Sequence, residues 1–304
     1  VMLNRPNERN TVNPDMQMDL NECWPEINHN QDVRAAIISG NGDDFCNGID
    51  ESEFSEDESM ANILAAYGHK EFPDLWKSGL ASITEAPAYL KFGLPDRARG
   101  RPAKPLIVAI NGMCSGAGLR FVSTADIVIC AEDAQFFEPR VNASLVPGEE
   151  TLALTRLKST PREIALRMAI MGDRFKVDAQ RAYEVGMATE VTPKDKLLTR
   201  ATEIALQIAD ASPAATRAVV AGFWDVFTRT PYSKALWFAQ IFAQQARRID
   251  GKEGTLAHVE GRNPEWPSRT TWSPPWTPHR INFEGRSEDV GSDVKELRRP
   301  GTPG

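Results

Sequence analysis

The sequence predicts an α/β fold, and three observations point there. Short apolar runs without polar alternation, VRAAIIS (Val33–Ser39), LIVAI (Leu106–Ile110) and IVIC (Ile127–Cys130), suit strands buried on both faces of a sheet. Stretches with helical spacing of apolar residues separate these runs and follow them. The 304 residues, 41% hydrophobic, supply one sizeable core and an appendage.

The elements read in order as follows. VMLN (Val1–Asn4) is a short strand halted at Arg5-Pro6. Because the chain opens inside this run, a short strand before it is expected to have been trimmed. Met16, Met18, Leu20 and Trp24 predict a helix over Pro14 to Trp24, ended near Pro25. Val33–Ser39 is a strand, turned by Gly40-Asn41-Gly42. Glu51 to Pro102 is polar, acidic at its start and basic at its end. It reads as a solvated face or as a substrate-gating loop with a helix over Ser59 to Lys70. Helices are predicted over Arg162–Met171, Val177–Val185 (stopped by Gly186), Lys194–Ala211 and Ala214–Arg248, the last with breaks at Gly222 and Pro231. Pro264–Gly304 is rich in Pro, Trp and Arg and has no period, so an extended or mobile tail is expected. The domain expectation is an α/β core over 1–192, a helical region over 193–262 and the tail over 263–304.

Composition excludes some classes. A net charge of −7, from 35 basic and 42 acidic residues, leaves no general nucleic-acid footprint. No apolar run nears the ~20 residues that span a bilayer, and no basic-then-apolar leader is expected. Cys23, Cys46, Cys114 and Cys130 lie far apart, without metal-ligand spacing. They read as reduced thiols of a cytoplasmic protein. No His-, Cys- or carboxylate-based metal motif, phosphate-binding loop or serine-nucleophile elbow occurs.

Chemistry concentrates where glycines cluster. Gly112, Gly116 and Gly118 allow close backbone approach to a ligand, and an apolar run after them can open a helix whose N-terminus favours negative charge. Arg120 and Arg140 follow. Arginine stays charged and carries protons poorly, but it orients carboxylates or binds anions bidentately. Glu149 and Glu150 come after Pro147-Gly148. A carboxylate in an apolar pocket can gain a useful pKa, and successive helical residues point about 100° apart, so only one of the pair can face a ligand.

Several motifs, in order, carry a resemblance. They are LNRPNERN (Leu3–Asn10), VRAAIISGNGDDFCNGID (Val33–Asp50), KPLIVAINGMCSGAG (Lys104–Gly118), ADIVICAEDAQF (Ala125–Phe136), MGDRFKVDAQRAYEVGMATEV (Met171–Val191) and EGRNPEW (Glu260–Trp266). Together they identify residues 1 to 266 as similar to the crotonase superfamily, the enoyl-CoA hydratase/isomerase family. The resemblance implies a ClpP-like spiral of ββα units with a C-terminal helical trimerisation region.

It also implies an oxyanion hole for a thioester enolate, built from the N–H of Ile49, after Gly48, and the N–H of Ala117, between Gly116 and Gly118. Where hydratases of the family carry two catalytic glutamates, this chain has Arg120 and Arg140, which argues against ordinary two-glutamate hydration. Glu149 or Glu150, with Glu149 preferred, would then move the proton. The implied activity is an enoyl-CoA isomerase or an atypical hydratase/lyase. Two alternatives stay open: a C–C bond hydrolase of a β-diketone or β-keto thioester, and a catalytically silent binding protein. His69 would contribute from the gating helix. No permanently bound cofactor is expected; coenzyme A would come with the acyl substrate and meet Arg5, Arg9, Arg247 and Arg248. The expected partner is a second and third copy of the chain, as a trimer or a dimer of trimers.

Overall fold

A computed structural model describes residues 1–50, 104–143, 149–228 and 247–266. The expected helix over Ser59 to Lys70, the apolar stretch after Pro231 and the tail fall outside these residues.

Five parallel strands form the main sheet, in the order β1 (Met2–Leu3), β2 (Ala36–Gly40), β3 (Leu106–Ile110), β5 (Ile127–Ala131) and β8 (Glu190–Thr192). A second sheet joins β4 (Met113–Ser115), β6 (Gln135–Phe137) and the short β7 (Val177–Asp178). The central strand explains the missing alternation. Leu106, Val108 and Ile110 enter the larger core, with Phe45, Leu119 and Phe121. Ile107 and Ala109 enter a second core with Leu197 and Ala201 of helix α6 (Leu197–Asp210). A strand's side chains alternate between faces, so a strand covered on both sides has no place for a polar residue.

Helix α1 (Pro14–His29) begins where Asn13 accepts a hydrogen bond from the Met16 N–H at 3.0 Å, a side-chain cap. The helix does not end near Pro25, as the sequence suggests, but runs through it. Met16, Leu20, Trp24 and Ile27 share one buried face, and that packing continues past the single backbone bond Pro25 cannot make. Similarly, α7 (Pro213–Thr228) passes through Gly222 without a break. The predicted helix from Val177 starts two residues later, as α5 (Ala179–Glu184), because Val177–Asp178 pairs with β6 and Asp178 caps the helix at Arg181. Helix α4 (Arg162–Met171) has the predicted bounds.

The LNRP stretch has a physical task. Asn10 is fully buried; its amide donates to the carbonyls of Asn41 and Asp44 at 2.9 and 2.8 Å and accepts from the Arg5 N–H. One side chain thus fastens the loop after β1 to the loop after β2, which leads into Gly48. Asp126 plays a similar part deeper in the fold, accepting from the Leu106 N–H at 2.8 Å and the Trp224 indole at 2.5 Å. Burial pushes the Cys46 and Cys130 thiols up to about 12, so they stay protonated packing groups. Among the described residues, no helix is long and apolar enough to cross a membrane and no cluster of side chains could hold a metal ion.

Candidate active site

Two turns meet at the edge of the core. The first follows β2 and ends in Cys46-Asn47-Gly48-Ile49. The second joins β4 to α2 (Gly118–Thr124) through Gly116-Ala117. Cys46 and Cys114 pair as a parallel bridge, which brings the two turns side by side. Gly48 and Gly116 have φ of +98° and +51°, where a side chain is strained. A methyl group on Gly48 would lie 3.9 Å from the Ala117 nitrogen. At Gly118 it would lie 2.5 Å from the Cys46 carbonyl, so the glycine there permits close approach.

The two N–H groups named from the sequence share this junction. Val12 bridges to Ile49, but the bonds run from Val12 N to Gly48 O and from Asp50 N to Val12 O, so the Ile49 N–H takes no part. Ala117 stands at the cap of α2, where first-turn amides have no intrahelical acceptor. Among the described residues, neither N–H donates to a protein acceptor. Helix α2 is only seven residues long.

Charged side chains lie beside the second turn. Glu150, near the start of α3 (Glu149–Lys158), is 6% exposed and accepts a hydrogen bond from Arg140 Nη1 at 2.6 Å. A methyl group on Gly116 would lie 3.9 Å from Arg140 Nη2, which places this ion pair beside the glycine turn. Burial pushes the Glu150 carboxyl up, but the Arg140 hydrogen bond and charge, with the charge of Arg120, outweigh it and hold the group below its usual value. The sequence favours Glu149. That residue opens α3, and its side chain lies outside the described set, whereas the geometry on view is that of Glu150.

A third carboxyl was not singled out from the sequence. Glu138, in the run FFEPR, is fully buried, and its Oε1 accepts from the Arg140 N–H at 3.2 Å. Its Oε2 lies 3.8 Å from Arg140 Nη1. An acid directly after two phenylalanines that enter the core was the available signal.

The remaining candidates are placed as follows. Arg5 is held by Asp50 at 3.0 Å and by the Thr11 carbonyl at 2.8 Å. Arg9 is largely exposed, 3.7 Å from Asp44. Arg247 and Arg248 are exposed at the start of the helical residues 247–260. His69 lies outside the described residues.

Comparison with known proteins matches this architecture. The sequence model of enoyl-CoA hydratase/isomerase covers residues 1–82 and 100–269. A mevalonyl-coenzyme A hydratase of Aspergillus fumigatus is 31% identical over 273 residues, 88% of this chain and 90% of that one. A carnitinyl-CoA dehydratase of Proteus mirabilis is 29% identical, over 88% and 94% of the two chains. The crystal structure of an enoyl-CoA hydratase/isomerase from Mycobacterium paratuberculosis superposes with a TM-score of 0.70 at 34% identity, covering 87% of this chain and 92% of its own. The fold is the crotonase fold, and the chain belongs to the enoyl-CoA hydratase/isomerase family.

Proposed function

We propose that this chain is an enzyme of acyl-CoA thioesters, acting as an enoyl-CoA isomerase or an atypical hydratase/lyase through an enolate. The observation that carries the reading is the junction of two main-chain N–H groups, neither with a protein acceptor among the described residues, beside a buried carboxylate held by Arg140. The Ile49 and Ala117 N–H groups would receive the thioester oxygen, and each such donor contributes roughly 2.7–4 kcal/mol when charge develops there. Glu150 would take the proton from the carbon next to the thioester, the electron pair moving onto that oxygen. Collapse of the enolate then returns a proton at the γ carbon or expels a β leaving group. Arg140 keeps Glu150 ionised and so ready as a base.

Arg120 and Arg140 occupy the places of the hydratase glutamates and cannot carry protons, so simple hydration of an enoyl-CoA is disfavoured. The relatives named above are a hydratase and a dehydratase of CoA thioesters, which supports the thioester and leaves the leaving group open. Arg9, Arg247 and Arg248 remain the candidates for the phosphates of coenzyme A, whereas Arg5 is already engaged.

The same reading includes self-assembly as a trimer or a dimer of trimers. Leu152 and Ile170 on α3 and α4, and Val219 and Phe223 on α7, are exposed apolar side chains that assembly would cover. Turnover of a panel of enoyl-CoA and β-substituted acyl-CoA thioesters tests the activity, with wild type and Glu150→Gln compared on each. Turnover of one class, lost in the variant, is the expected result; a panel left wholly untouched refutes the reading. Light scattering should give a trimer or hexamer mass, and a monomer at micromolar concentration contradicts the assembly.

A further inference from the structure

Two buried carboxyls compete for one guanidinium. Arg140 Nη1 lies 2.6 Å from Glu150 Oε2 and 3.8 Å from Glu138 Oε2. The first distance is a hydrogen bond and the second is not. Glu138 Oε2 is buried with no hydrogen-bond partner among the described residues. The buried carboxyl has one hydrogen bond, from the Arg140 N–H to Oε1, and one unpartnered oxygen, so its charged form is poorly compensated and burial favours the protonated one. The charged groups facing the pair among the described residues are Arg140, on the segment of Glu138 itself, and Arg120, which reaches Glu150 from α2.

We propose that Glu138 is a positioning residue that stays protonated and thereby leaves the charge of Arg140 to Glu150. Burial pushes the Glu138 carboxyl up; the charge and backbone N–H of Arg140 oppose this, nearby Glu150 adds to it, and the net direction is upward. Environments that drive two carboxyls apart assign one as the proton holder and the other as the base. If Glu138 ionised, it would draw on Arg140 and repel Glu150, and Glu150 would hold a proton more readily. The two therefore titrate as a coupled pair. The kinetic consequence rests on the proposed role of Glu150, but the protonation state does not.

Difference infrared spectroscopy across a pH titration tests this. Wild type should show the C=O stretch of a buried un-ionised carboxyl at neutral pH. Glu138→Gln should lose it. In Glu150→Gln the band should disappear at lower pH than in wild type, because Arg140 is released to Glu138. A band that survives in Glu138→Gln, that is missing from wild type, or that ignores Glu150→Gln overturns the proposal.

A second readout is thermal. A carboxyl that folding holds above its ordinary value of 4.5 lowers stability as pH rises past that value. The melting temperature of Glu138→Gln relative to wild type should therefore climb with pH; a constant difference contradicts this. Glu138→Met supplies the same comparison should the glutamine variant fold poorly. A Glu150→Gln enzyme with full activity would defeat the proposed function while leaving the infrared result intact.

Discussion

The two halves of the candidate site are built from different material. The Gly48 and Gly116 turns offer main-chain N–H groups, fixed by strand pairing and by glycines at positive φ. The other half, Glu138, Arg140, Glu150 and Arg120, is made of side chains, and its two carboxyls respond to each other and to the arginine charges. A main-chain device tolerates almost any side chain at the donor residue, so Ile49 and Ala117 cost it nothing. A side-chain device changes chemistry with each substitution. On the proposed reading the first half would serve a shared step, polarising a thioester, and the second would set which reaction follows.

Breaking the side-chain half should have the largest effect. Glu150→Gln keeps size and a hydrogen-bonding group beside Arg140 but removes the proposed base. Turnover should fall by roughly 10²–10⁴-fold, the usual contribution of a positioned acid–base group, with product affinity little changed. Glu149→Gln is the paired control and should be nearly silent; the reverse result would move the base by one residue. The main-chain half is broken by Ala117→Pro. Ala117 has φ −59°, close to the angle proline imposes, so the fold should survive while one N–H is lost. The turnover number should drop by about 10²–10³-fold, the loss seen when one oxyanion donor is deleted. An unchanged rate would show that this amide points at nothing that reacts.

A third test sharpens the contrast through pH. Arg140 holds Glu150 below 4.5, so wild-type activity should persist until pH falls beneath that ordinary value. In Arg140→Gln, burial is left opposed only by weaker partners, and the acid limb of kcat/KM should move to higher pH. A limb that stays in place would mean that Glu150 is not the titrating base. The smallest effect belongs to Ile49→Val. Its contribution is an N–H, so the rate should remain close to wild type, and a large loss would assign the side chain a role of its own.

The main-chain half was legible in the sequence because its requirements are local. Glycine spacing and the runs around Leu106–Ile110 and Ile127–Cys130 report backbone geometry directly, and those strands lie where the apolar runs place them. The side-chain half was legible only in part. The identities of Arg120 and Arg140 stood out, but their partners depend on how α3 packs against α2. Glu150 lies ten residues from Arg140 and Glu138 only two, and no periodicity signals that a single guanidinium serves both. The course of α1 through Pro25 was hidden for a similar reason: a local breaker was overridden by the burial of Trp24 and Ile27, which are anchored by tertiary packing.

The central claim is that two main-chain amides and Glu150 together generate a thioester enolate. Exchange of the α-proton of saturated acyl-CoA thioesters in D2O, followed by mass spectrometry, reads that event without the true substrate. The account predicts deuterium uptake catalysed by the wild-type protein and reduced by about 10²-fold or more in Glu150→Gln. Uptake that is absent from the wild type across acyl chains, or equal in the variant, would contradict it.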